Sequence, residues 1–144
     1  MIYNNSQNQL VLIEDITTSK KQKIITAKLQ SKRDSLKIIT STRTKEADIK
    51  NYIEQIYPNF IDNFELERLS SAVKFFRLVE SSSNVYLHLR PSMEWDIASG
   101  HFLVELIGAK LKSLNVIDGK ISENENFYYQ KENFLNGAFV AKFF

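Results

Sequence analysis

The chain has 144 residues, enough for one domain with a core of its own. Its formal net charge of +2 gives no global reason to expect nucleic acid or an anionic membrane as a partner, and the lack of cysteine excludes disulfides and thiolate metal sites. The first dozen residues carry no basic region, and the run Leu10-Val11-Leu12-Ile13 is too short for a signal peptide or a membrane span, so a cytoplasmic chain is expected.

Residues 1–34 differ in character from the rest. Two apolar runs, Leu10 to Ile13 and Ile24 to Leu29, flank the polar stretch Asp15 to Lys23 and read as two strands of a hairpin. Lys20, Lys21, Lys23, Lys28, Lys32, Arg33 and Lys37 make this region basic, but no aromatic lies between Tyr3 and Tyr52 to stack on a base. The charges therefore read as a solvated strand face.

From Ser35 the pattern alternates. Leu36-Lys37-Ile38-Ile39 predicts a strand. Thr44 can cap a helix in which Ile49, Tyr52, Ile53 and Ile56 recur at helical spacing, with Glu46 and Asp48 in its first turn and Pro58 as its stop. Phe64 to Glu67 reads as a strand, and Ser70 or Ser71 as the cap of a second helix through Val73, Phe76 and Val79. Asn84 to Leu89 predicts a strand, and a third helix starts near Trp95 or Asp96 and runs to about Gly108. Its spacing marks Phe102, Leu103, Leu106 and Ile107 as core. Leu111 to Val116 reads as a strand, Asp118-Gly119 as a turn, and Phe139 to Phe144 as a closing strand. Strands alternating with helices predict an α/β layered sheet with flanking helices over 35–144, preceded by an N-terminal strand region over 1–34.

Two segments carry a resemblance. The segment from Ser70-Ser71-Ala72-Val73-Lys74-Phe75 through Arg90-Pro91-Ser92-Met93-Glu94-Trp95-Asp96-Ile97-Ala98-Ser99-Gly100-His101 resembles the second signature of the inositol monophosphatase family, centred on Trp-Asp-x-Ala-small-Gly. The form Pro-Ser-Met-Glu-Trp-Asp is similar to its 3′(2′),5′-bisphosphate nucleotidase (CysQ-type) branch. The tail Tyr129-Gln130-Lys131-Glu132-Asn133-Phe134-Leu135-Asn136 is similar to that branch's Tyr-Asn-Lys-Glu…Leu-Asn-Pro, with Gly137 in place of the proline. The resemblance covers roughly residues 36 to 141 and implies the C-terminal subdomain of the phosphatase fold. The family's other signature, Asp-Pro-Ile-Asp-Gly-Thr, which supplies most magnesium ligands, has no counterpart here: Asp15 is followed by Ile-Thr-Thr.

The resemblance implies magnesium-assisted removal of a phosphate, with Asp96 as the metal ligand of this half. One carboxylate cannot hold a magnesium cluster, so the site is expected to be incomplete, with no catalytic residue of its own. Ser71 and Lys74 match positions that contact a phosphate of the substrate. His88 stands where the branch has arginine, and a histidine, mostly neutral at pH 7, cannot replace bidentate contacts. Thr44 likewise replaces a histidine in the branch's Ser-Arg-Ser-His. Trp95 reads as a packing wedge behind the metal loop. The expected function is that of a truncated or split phosphatase, inactive alone, with a separate chain carrying the missing half as partner and a small nucleotide or sugar phosphate as ligand. The alternative is a non-catalytic remnant acting through binding or protein interaction, with an exposed apolar patch.

Overall fold

The computed structural model describes residues 2–4, 9–13, 22–25, 35–80, 83–124 and 127–143. The first three of these segments are strands β1 (Ile2–Asn4), β2 (Gln9–Ile13) and β3 (Gln22–Ile25), joined as an antiparallel sheet in the order β1-β2-β3. Leu10 pairs with Ile25 and Ile13 with Gln22, so the hairpin expected here is present; its extension to Leu29 falls outside the described residues, as do Ser81 and Phe144.

The remaining strands build a six-stranded mixed sheet. β4 (Leu36–Thr40) leads into α1 (Glu46–Ile56), then β5 (Phe64–Arg68), α2 (Val73–Val79) and β6 (Val85–His88). The two-residue β7 (Ser92–Met93) opens α3 (Glu94–Leu106). β8 (Lys110–Ile117), β9 (Lys120–Asn124), the short β10 (Leu135–Asn136) and β11 (Phe139–Lys142) follow. Sheet order is β5-β4-β6-β11-β8-β9, with β4 parallel to both neighbours and all other pairs antiparallel. β10 pairs with β7 in a separate two-stranded ladder.

Alternation along the central strands divides the core in two. Leu36 and Ile38 of β4, Val85 and Leu87 of β6 and Val140 of β11 pack with Ile49, Tyr52 and Ile53 of α1. Ile39, Tyr86, Phe139 and Ala141 face the other way, onto Phe75, Leu78 and Val79 of α2 and Ile97, Val104 and Ile107 of α3. The result is a sheet covered by α1 on one side and by α2 and α3 on the other, the period-2 pattern of strands buried on both faces.

Local chemistry sets the element ends, in places differently from the sequence reading. Thr44 does not cap α1: Lys45 does, without a side-chain bond. Buried Thr44 instead holds its Oγ1 3.0 Å from Thr40 Oγ1, which donates to Leu87 O at 2.8 Å. Neither Ser70 nor Ser71 caps α2. Ala72 takes that place, and Ser71 adopts a left-handed φ of 63° that reverses the chain just before the helix. α3 ends where Gly108, at φ 85°, lets its N–H reach Glu105 O and lets Ala109 N reach Val104 O, closing the last turn. Asp118 (φ 49°) and Gly119 (φ 76°) give the two-residue turn between β8 and β9, both residues left-handed as a twisted hairpin requires.

Phe102, expected in the core, is 58% exposed. The buried stripe of α3 is Ile97, Gly100 and Val104, with Ile107 just past its end, and Phe102 lies away from it.

Candidate functional site

The parallel strands β4, β5 and β6 end on the same edge of the sheet, and the segments that leave them meet there. Connections from neighbouring β4 and β6 depart to opposite faces, toward α1 and α3, which opens a crevice beyond their C-terminal ends. Two bonds fasten the loops together: Arg68 Nη1 donates to Thr44 O at 2.5 Å and Leu69 N to Thr40 O at 3.0 Å. The result is an open cleft of about 720 Å³ lined by Ser41 to Arg43 after β4, Ser70 to Ala72 after β5, Lys74 and Phe75 of α2, Tyr86 and His88 of β6, and the Arg90 to Ser99 region.

All four residues singled out in the sequence, Ser71, Lys74, His88 and Asp96, line this one cleft. Lys74 is buried at its wall. Its Nζ donates to Ser71 O at 2.5 Å and lies 5.4 Å from the Tyr86 ring centroid. Burial pulls its pKa below the usual lysine value. An ammonium has three donors, and the one bond to Ser71 O leaves capacity for an anion. Ser71, at a left-handed φ of 63°, supplies that carbonyl.

His88 is neutral. Burial, followed by the Lys74 charge, pushes its pKa down to about 4. Its ring stacks on Phe139 with centroids 4.8 Å apart, Nδ1 lies 3.3 Å from Tyr86 Oη, and Nε2 is buried. A neutral imidazole offers one hydrogen bond where a guanidinium would offer a fork.

Two arginines on the cleft had no role in the sequence reading. Arg90 is two residues beyond His88, and Arg43 follows the end of β4; both are exposed, and neither is ion-paired among the described residues. Both stand in segments that the resemblance covers, shortly after strands that prove to be parallel, but no role is assigned to them there. With Lys74 they give the cleft three cations against one carboxylate, Asp96.

Asp96 is the third residue of α3, not its cap, and accepts a bond from Met93 N at 3.1 Å through Oδ2. A carboxylate in a first helical turn is favoured by the free N–H groups and the dipole there. Magnesium asks for about six hard oxygens. Here a single carboxylate, with one oxygen already engaged, stands among three cations, and no three His, Asp or Glu side chains converge anywhere among the described residues. The residues present do not fit a magnesium site by themselves.

The wall around Asp96 is braced from behind. Buried Glu94 accepts the backbone N–H groups of Gln130 (3.0 Å) and Lys131 (2.9 Å), and Lys131 Nζ lies 3.7 Å from its Oε1. These bonds and the β7–β10 pairing join the two sequence blocks that carried the resemblance. Trp95 is not a packing wedge: it is 64% exposed at the cleft, its ring 6.1 Å from that of Phe134 and tilted 48° to it. His101, at the far side of α3, bonds Tyr129 Oη through Nδ1 at 2.7 Å and lies 3.3 Å from Glu105, outside the cleft.

Among solved structures the chain is similar to CysQ from Bacteroides thetaiotaomicron, described as a bacterial member of the inositol monophosphatase family, with a TM-score of 0.59 and 28% identity over 79% of this chain. The chain spans 39% of that protein's length. No family model matches it, and no curated protein does. The mixed sheet with flanking helices is thus the fold of a phosphatase-family neighbour. Among the described residues no helix is long and apolar enough to cross a membrane.

Proposed function

We propose that the chain binds phosphate monoesters in this cleft and forms one side of a phosphatase site of the inositol monophosphatase kind. The observation that carries the reading is the convergence of Arg43, Lys74 and Arg90 with Asp96 beyond the ends of the parallel strands. In it the three cations offset phosphate charge, with the arginines able to grip two oxygens at once. The Ser71 hydroxyl adds a single hydrogen bond, and neutral His88 stands in the wall beside Lys74. Asp96 is one ligand toward magnesium, and the other carboxylates come from a separate polypeptide, the part that Asp-Pro-Ile-Asp-Gly-Thr fills in the family resembled. The likeness to CysQ supports this, and the ligand that the resemblance favours is a nucleotide bisphosphate.

The test is calorimetry and phosphate release with adenosine 3′,5′-bisphosphate. The chain alone is expected to bind it without magnesium and to release no phosphate. Adding a polypeptide that bears the missing signature, with magnesium, restores release, and Asp96→Asn abolishes it. No binding at millimolar nucleotide would defeat the reading. Turnover by the chain alone, lost in Asp96→Asn, would defeat the split site. A second reading, a binding domain without turnover, is favoured by the lack of any converging set of metal ligands among the described residues. Binding that persists with no turnover in the mixture selects it.

A further inference from the structure

The second half of α3 carries a group of donor atoms outside the cleft. His101 and Glu105 stand one turn apart on the same side of the helix, with His101 Nε2 3.3 Å from Glu105 Oε1. We propose that this pair binds a divalent transition metal of the zinc class, with His101 Nε2 and the Glu105 carboxylate as its protein ligands and water filling the rest of the shell. The inference is independent of the phosphate reading above.

Four observations carry it. First comes the spacing. A charged N–H···O pair closes to about 2.7–2.9 Å. Two ligands about 2.0–2.1 Å from a tetrahedral zinc ion stand about 3.3–3.4 Å apart. The observed separation is the second of these, so an ion enters with little movement of either side chain. Second, the imidazole is aimed. Its Nδ1 lies 2.7 Å from Tyr129 Oη, and its ring meets Phe127 edge-on with centroids 5.4 Å apart. The segment that carries Tyr129 is anchored in turn, because the neighbouring Gln130 and Lys131 donate their N–H groups to Glu94. With an ion on Nε2, Nδ1 keeps the ring proton and donates it to Tyr129 Oη, the outer bond that orients metal-binding histidines. Third, burial holds the His101 pKa below the ordinary histidine value, which leaves the ring at pH 7 in the neutral form a metal requires. Fourth, the pair is reachable. A cavity of about 280 Å³ bounded by Ala98, Phe102 and Tyr129 opens onto it, and no lysine or arginine lines that side. Lys110 and Lys112 stand on the other side, where Lys112 lies 3.7 Å from Glu123. One imidazole and one carboxylate suit zinc, cobalt or nickel, whereas magnesium asks for oxygen ligands throughout. Two protein donors leave positions open to water, so the ion is an exchangeable one.

The experiment titrates the full chain with zinc chloride, following the heat of binding and, by NMR, the ring nitrogens of its two histidines. One zinc ion per chain is expected to bind at micromolar concentration and to shift His101 Nε2, and an excess of magnesium should leave both signals unchanged. Glu105 is half exposed, so Glu105→Gln keeps the fold. That variant should weaken zinc binding by about tenfold or more, Tyr129→Phe by about tenfold, and His101→Gln should abolish it. Zinc should also raise the Tm of the parent and not that of His101→Gln. Zinc binding that is undiminished in Glu105→Gln, or that magnesium displaces, would put the ion elsewhere and overturn the proposal. No heat and no shift at millimolar zinc would leave His101 and Glu105 as an ion pair only, and would overturn it too.

Discussion

Gly100→Ala separates local helix preference from tertiary packing in a single methyl group. Gly100 is buried in α3, where alanine is intrinsically better by about 1 kcal/mol. A Cβ at this position would run into the Phe75 ring, coming to 2.6 Å from Cε2 and closer still to Cγ and Cδ2. Phe75 has little room to yield. It is 2% exposed and is packed edge-on against Tyr86, with centroids 4.9 Å apart, and parallel to Phe139 at 6.3 Å. Overpacking of this kind costs about 1–3 kcal/mol, and the confined ring puts it toward the upper end. The net expectation is a loss of about 1–2 kcal/mol, or a fall in Tm of roughly 3–8 °C. Urea denaturation should show a lower midpoint at unchanged slope. Since Phe75 lines the cleft next to Lys74, phosphate binding should weaken as well. The double variant Gly100→Ala/Phe75→Leu should recover part of the stability, because the two sites couple through one contact. If Gly100→Ala is as stable as the parent or more so, the close approach of α3 to α2 described here is wrong.

Two further outcomes concern the cleft. His88 has a folded pKa of about 4 against an ordinary 6.5, so as pH falls the unfolded chain takes up its proton first; stability should drop between pH 6.5 and about 4 by up to about 3 kcal/mol, then level off, and His88→Phe should flatten that slope in a Tm series. Ser71→Gly should raise stability by up to about 1 kcal/mol by relieving the left-handed backbone, while the loss of its hydroxyl weakens phosphate binding; a fall in both would mean that the serine side chain supports the fold.

The parts legible in sequence are those where one local pattern had one solution. Ile49, Tyr52 and Ile53 phase α1 unambiguously, and Pro58 limits it. Asp118-Gly119 specifies its turn because few residue pairs accept two left-handed conformations. α3 resisted phasing because it is apolar on both sides, so the spacing that suits Ile97 and Val104 suits Phe102 as well. β9 escaped because Lys120-Ile121-Ser122-Glu123-Asn124 looks like a polar loop. Its Glu123 is an acid that Lys142, at 2.6 Å, and the Tyr52 hydroxyl, at 3.0 Å, hold in place. In the cleft, Ser71, Lys74, His88 and Asp96 came from a motif, and they line one cavity. Arg43 and Arg90 lie within the segments that carry the resemblance, but their joint place on the cleft becomes visible only once the strand order brings three loops to one edge. Strand order is a long-range property that no window of sequence contains.

That order has a consequence for how the molecule is made. β11 is the seam between the parallel strands and the β8–β9 hairpin, yet it is the last strand described along the chain. During synthesis, everything from Leu36 to Asn124 must wait with two raw strand edges until Lys142 has left the ribosome. Loss of β11 would leave β5-β4-β6 and β8-β9 as two separate strand groups, each with an open edge prone to wrong pairing, not a slightly smaller sheet.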